Sequence, residues 1–383
     1  MNTSQSWTHR WQAVMSDNYG TPPVVIVRGD GAVVWDADGK RYLDMVAGIA
    51  VNALGHAHPA VQAAVSKQMN EYGHVSNLAA HPVGIELAER LIALTGRPGR
   101  VFFCNSGAEA NEAAFKVARL TGKTTMHAAQ GGFHGRTMGA LSLTGQPAKR
   151  TPFEPLVPGV EFFEYGRTPA LGPDAAAVVV EPIQGEAGVV PAPAGYLSQL
   201  SGAAHTAGAL LIADEVQTGI GRTGSWFAHQ QESVNPDLVT LAKGLGGGLP
   251  IGAMLTFGDA ADLLDPGHHG STFGGNPVAC AAALAVLNEI ESNGLLNHVS
   301  QVGRRIQDTL GATSGVDHVR GQGLLLGVVL VQPIAKAVET RCREAGLLVN
   351  AIGDDVIRLV PPLILTAEQA DEACAKLGEA IAA

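Results

Sequence analysis

Three short apolar runs, each closing on a charged residue, constrain this chain more than any other feature. Residues 177–180 run into Glu181, residues 209–213 into Asp214, and residues 238–242 into Lys243. The runs are too short for buried helices and lack the alternation of a half-exposed strand. They read as strands of a parallel sheet covered on both faces. Residues 195–207, between the first two runs, have the length and polarity of a surface helix and complete a β-α-β unit. After the third run comes Lys243-Gly244-Leu245-Gly246-Gly247-Gly248 and then the apolar stretch 251–257, a glycine-rich return that adds one antiparallel strand. In open α/β sheets ligands sit beyond the carboxyl ends of the strands. Asp214 and Lys243 therefore stand where one ligand touches both. On position alone, a salt bridge capping the end of the sheet is the commoner explanation of such a pair.

The rest of the chain predicts a second, α+β part. Residues 23–27 and 32–35 are short β-branched runs, expected to form a hairpin around Arg28-Gly29-Asp30-Gly31. An alanine-rich helix is predicted from Pro277 to about Ile306. Beyond Val316, strand-like runs at 323–331 and 356–360 mix with helices such as 335–345. With 46% apolar and 16% charged residues over 383 positions, the chain buries a large core and is not disordered. A net charge of −10 argues against nucleic acid or an anionic membrane as main partner. Cys104, Cys280, Cys342 and Cys374 lie far apart, which excludes a zinc ribbon and suits a reducing compartment. Residues 1–10 lack the apolar centre of a secretory signal, and no apolar stretch approaches the roughly 20 residues of a membrane helix. A soluble, cytoplasmic protein is expected.

A further motif follows the apolar residues 101–103: Cys104-Asn105-Ser106-Gly107-Ala108-Glu109-Ala110-Asn111-Glu112. It reads as a strand end, a small-residue turn and a helix reaching about Leu120. The first amides of that helix, around Ser106, Gly107 and Ala108, form either an anion site or an ordinary N-cap. Two nucleotide fingerprints fail on inspection. Gly122-Lys123-Thr124 would need a glycine at Val117, and Gly244-Leu245-Gly246 would need one at Leu249. The thirteen histidines show no metal-binding spacing and read as loop and turn residues.

Four strings taken together carry a resemblance. Asn105-Ser106-Gly107-Ala108-Glu109-Ala110-Asn111-Glu112, Glu181-Pro182-Ile183-Gln184-Gly185-Glu186-Ala187-Gly188, Asp214-Glu215-Val216-Gln217-Thr218-Gly219 and Leu241-Ala242-Lys243-Gly244 resemble, in order and spacing, the class III pyridoxal-phosphate-dependent aminotransferases. The match runs from about Tyr19 to the C-terminus. Within the class, Gly48-Ile49-Ala50-Val51-Asn52-Ala53-Leu54-Gly55-His56 and His74-Val75-Ser76-Asn77-Leu78 are most similar to the acetylornithine aminotransferases.

The resemblance implies an α/β fold of the fold-type I transferases, with a mostly parallel central sheet flanked by helices. Residues 51–276 would form the large cofactor domain, and residues 1–50 and 277–383 a smaller α+β domain built from the chain ends. It implies pyridoxal 5'-phosphate as cofactor, bonded covalently to Lys243, which then shuttles a proton. Asp214 would face the ring nitrogen, Phe133 and Val216 the two ring faces, and Gln217 the phenolic oxygen. Ser106, Gly107 and Ala108 would bind the phosphate together with Thr272 of a partner subunit, so a homodimer with shared sites is implied. Arg136, Ser271 and Arg358 would meet substrate, the arginines through its carboxylates. Glu186 would pair with Arg358 while the first substrate is present. The implied reaction moves the terminal amino group of N2-acetyl-L-ornithine to 2-oxoglutarate, a step of arginine biosynthesis. Ornithine, succinylornithine, succinyl-diaminopimelate or 4-aminobutyrate as donor, or a non-catalytic cofactor-binding homologue, are the alternatives.

Overall fold

A computed structural model describes residues 3–383. After a polar helix, Ser4–Val14, come three strands, β1 (Ile26–Asp30), β2 (Val33–Asp36) and β3 (Arg41–Asp44). Their first turn lies later than the sequence suggests. Asp30 pairs with Val33, which leaves Gly31-Ala32 as the loop and places Arg28 to Asp30 in the strand. Gly31 has φ +53°, the conformation that a two-residue hairpin demands at its first loop position.

The next strands are β4 (Gly99–Cys104), β5 (Thr125–Ala129), β6 (Val160–Phe163) and β7 (Ala175–Val180), followed by a short ribbon of β8 (Ile183–Gln184) and β9 (Val190–Pro191). Then come β10 (Leu210–Asp214), β11 (Leu238–Leu241) and β12 (Gly252–Phe257). Seven of these form the central sheet, ordered β4-β12-β11-β10-β7-β5-β6. Strands β11, β10, β7, β5 and β6 run parallel, and β12 runs against both neighbours, as its glycine-rich approach predicts. The missing alternation in the apolar runs has a direct cause. Ala177 and Val179 of β7 pack toward Ala113, Ala114 and Val117 of helix Gly107–Leu120. Val178 and Val180 pack toward Leu197 and Leu200 of helix Tyr196–Thr206. Each buried Val or Leu side chain contributes about 1.5–3 kcal/mol.

Beyond the sheet, the helical stretch expected from Pro277 is built of two helices, Pro277–Ser292 and Leu295–Gly311. Gly294, at φ +60°, turns the chain between them. The last strands are β13 (Val316–Gln322), β14 (Leu325–Leu330), β15 (Leu347–Leu348), β16 (Asn350–Ile352) and β17 (Val356–Leu359). Four of them form an antiparallel sheet ordered β13-β14-β17-β16. The remaining one, β15, pairs in parallel with β3, so both ends of the chain share the sheet β1-β2-β3-β15. Lys40 reinforces this seam, donating to the main-chain carbonyls of Arg343 and Glu344 at 3.1 and 2.8 Å. Among the described residues no helix is long and apolar enough to cross a membrane, and all four cysteines are free and buried.

Candidate active site

The carboxyl ends of β4, β5, β7, β10 and β11 open on one cavity of about 490 Å³. Its walls include Ser106, Gly107 and Ala108 after β4, Phe133 and Arg136 after β5, Glu181 after β7, Asp214, Val216 and Gln217 from β10 onward, and Lys243 after β11. Ten of the residues singled out in the sequence or implied by the resemblance thus share one space.

Asp214 is buried, and its partners are not the lysine. Its Oδ2 accepts from Asn111 Nδ2 at 2.8 Å and His134 Nδ1 at 2.7 Å, while Oδ1 accepts only the Val216 N–H at 3.0 Å. The sheet-end salt bridge is therefore replaced by a bond to an imidazole. His134 is no turn residue but fully buried. Burial is the largest single effect and works against its charged form, yet the hydrogen bond and charge of Asp214, with the charge of Glu181, together outweigh it and raise the imidazole pKa. The acid is thus tied through one oxygen to Asn111 and His134, while Oδ1 has a single main-chain donor among the described residues.

Lys243 follows the apolar β11 and opens a short 3-10 turn, Lys243–Gly246. Its φ is +45°, a left-handed backbone that costs a non-glycine residue about 1–3 kcal/mol. Burial lowers the pKa of its ammonium; Glu186 opposes that and Arg358 adds to it. An amine so placed gives up its proton more readily than a solvated lysine.

At the other end of the cavity Ser106 caps helix Gly107–Leu120, its Oγ accepting from Glu109 N at 3.2 Å. The amides of Gly107 and Ala108 stand in the first turn, where no intrahelical acceptor exists. N-cap and anion cradle are thus the same structure. Gly107 is required because a Cβ there would lie 2.7 Å from Val216 Cγ1. Helix-end amides without an intrahelical acceptor, a buried acid and a lysine inclined to neutrality on one cavity are the donor set that a phosphate, a basic ring nitrogen and an aldehyde require. The residues present fit pyridoxal phosphate.

Glu181 ties two loops together. It accepts from Phe133 N at 2.9 Å and Gly185 N at 3.3 Å, and burial pushes its carboxyl up to about 7, with His134 opposing. Phe133 carries two cations against its ring, Arg136 at 5.5 Å and Lys149 at 5.6 Å from the centroid.

Arg358, on β17, is 1% exposed and lies behind the cavity wall rather than in it. Its Nη1 pairs with Glu186 and also donates to Gln217 Oε1 at 3.3 Å; Nη2 donates to Asn350 Oδ1 at 2.7 Å. Burial would raise the Glu186 carboxyl, but the Arg358 guanidinium holds it below the usual range. Ser271 and Thr272 are not in the walls. Ser271 Oγ accepts from Asn105 Nδ2 at 3.2 Å, and Thr272 is exposed. Sequence reasoning gave no role to Asn111, His134, Lys149 or Asn350. Asn111 lies inside a quoted string; nothing local marks the others.

The family profile described as Aminotransferase class-III matches residues 14–381. An acetylornithine aminotransferase of Mycobacterium tuberculosis is 58% identical over 377 residues, 96% of this chain and 94% of that protein. The crystal structure of N-acetylornithine aminotransferase from Stenotrophomonas maltophilia superposes with a TM-score of 0.83 at 37% identity, covering 96% of this chain and 97% of that one. A PLP-bound amine transaminase from an uncultivated Pseudomonas species superposes with a TM-score of 0.90 at 32% identity, covering 96% of each.

Proposed function

The chain belongs to the class III aminotransferases, and on that premise we propose that it transfers the terminal amino group of N2-acetyl-L-ornithine to 2-oxoglutarate. The products are N-acetyl-L-glutamate 5-semialdehyde and L-glutamate, within arginine biosynthesis, and the cofactor is pyridoxal phosphate. One observation carries the reading: Lys243, Asp214 and the Gly107–Ala108 amides meet on one cavity, in a chain close to relatives named for that reaction. Steady-state kcat/KM over acetylornithine, ornithine, succinylornithine, succinyl-diaminopimelate and 4-aminobutyrate tests it. A preference of tenfold or more for any other donor would overturn it.

When bound, the cofactor supplies an electron sink for the carbon that gains and loses the proton. Lys243 would anchor it, and its Nζ would carry that proton. Asp214, held in place by His134 and Asn111, would hold a proton on the ring nitrogen through Oδ1. Phe133 and Val216 would hold the ring between them, Gln217 would reach the phenolic oxygen, and Ser106, Gly107 and Ala108 would hold the phosphate. Thr272, exposed on this chain, serves the site of a second copy, with Ser271 near that substrate, which makes the working unit a homodimer. The sheet shared by the chain ends supports residues 1–50 and 277–383 as a small domain beside a large one, 51–276.

Arg136, exposed at the cavity mouth, takes the α-carboxylate of the donor and the distal carboxylate of the acceptor. Arg358 takes the α-carboxylate of 2-oxoglutarate by a bidentate fork. The donor brings no carboxylate for Arg358, and a bare buried guanidinium would be costly and would attract the wrong amine. Glu186 masks it and must leave in the second half-reaction. Glu186→Ala is therefore expected to shift the kcat/KM ratio toward glutamate over acetylornithine by about tenfold or more. Arg358→Ala is expected to cripple 2-oxoglutarate use and spare the donor half. Single-turnover spectra of the two half-reactions check both, and an unchanged ratio in Glu186→Ala removes the gate.

A further inference from the structure

Two cations flank one aromatic ring beside the cavity, and a third, behind the cavity wall, holds a carboxylate. Arg136 and Lys149 both lie against the Phe133 ring, and Arg358 is bonded to Glu186. Lys149 is half-buried in the short helix Pro147–Arg150, and among the described residues no carboxylate lies within ion-pair distance of it. The side chain is nevertheless held in place. Its ammonium donates to Gln146 Oε1, and Gln146 Nε2 donates to the Gly131 carbonyl at 2.8 Å.

That anchor adjoins the segment that carries Glu186. Gln184 Nε2 donates to the Gln130 carbonyl at 2.8 Å, and a Cβ on Gly131 would stand 3.5 Å from the Ala187 Cβ. The loop fixing Lys149 and the loop bearing Glu186 are thus packed together. Glu186 is the principal charge acting to keep Lys149 protonated, against burial and the like charges of Arg136 and Arg358.

We propose that Lys149 is the second berth of the Glu186 carboxylate, receiving it when a dicarboxylate substrate takes Arg358. The inference rests on the gate described above and adds where the displaced charge goes. A carboxylate leaving a buried guanidinium for a half-buried surface loses an ion pair; an unpaired ammonium beside its loop restores one and lowers the cost of opening. Lys149 is then a positioning residue for one half-reaction, touching Glu186 rather than substrate.

The test uses the holoenzyme and glutarate, an unreactive five-carbon dicarboxylate that must open the gate to bind. Calorimetry on Lys149→Met is expected to show glutarate binding weakened about tenfold. The glutamate half-reaction should fall by a similar factor relative to the acetylornithine half. Lys149→Arg, which keeps the charge, should restore most of both. In a Glu186→Ala background, Lys149→Met should change neither, because no carboxylate then needs the berth. A loss that persists in that background means Lys149 binds the dicarboxylate itself and overturns the proposal, as does a silent Lys149→Met. A Glu186→Ala variant that alone leaves the half-reaction ratio unchanged overturns the gate instead, and the two failures are read separately.

Discussion

Lys243→Ala is expected to leave a folded protein that still retains the cofactor phosphate through Ser106, Gly107 and Ala108 but shows no visible band of lysine-bound cofactor. Turnover should fall by at least roughly 10⁴-fold, since both the covalent anchor and the proton carrier are lost. Folding should survive because alanine occupies the same φ of +45° at a cost similar to that of lysine. Absorbance after cofactor addition, thermal unfolding and single-turnover rates with acetylornithine together measure this. Turnover near that of the wild type would end the aminotransferase reading.

Asp214→Ala is expected to weaken cofactor binding and slow proton removal by about 10²–10³-fold. Asp214→Glu should recover part of that, keeping charge while changing distance. The structure adds a second readout. The His134 pKa is raised above its ordinary value of 6.5 by Asp214. The bond's contribution to stability is therefore full below about 6.5 and is lost as pH climbs through the raised folded-state value. Asp214→Ala should erase that dependence, so unfolding curves followed upward from about pH 6.5 should lose one titrating group. Equal and mild effects on activity for both variants would reduce Asp214 to a structural partner of His134.

Most of the frame was legible because parallel strands covered on both faces need unbroken apolar runs, and such runs stop where the chain leaves the sheet. Glu181, Asp214 and Lys243 mark those stops in the sequence and the cavity floor in the structure. The hairpin was misplaced because Gly29 and Gly31 compete for the turn, and contact settles it: Gly29 packs against His56 while Gly31 alone takes positive φ. His134 escaped notice because a histidine flanked by Phe133 and Gly135 carries no sign of burial. Its meaning comes from Asp214, 80 residues on. Asn350 and Lys149 have less local signal still, since their neighbours at the site come from other elements. The Glu186–Arg358 pair joins residues 172 apart. Only the resemblance put them together, and the structure shows the bond.

The seam between β3 and β15 governs how this protein is born. Lys40 waits for carbonyls 303 and 304 residues downstream. At roughly 5–20 residues per second on the ribosome that delay is on the order of 15–60 s. Throughout it β3 presents a bare strand edge, the kind that recruits stray strands unless something covers it. Meanwhile every residue lining the cavity, from Val51 to Ile251, has already been made. Arg358 has not. On the roles proposed above, a chain released early would carry the lysine and its acid without the arginine proposed to tell one carboxylate from two, so synthesis would deliver chemistry before discrimination.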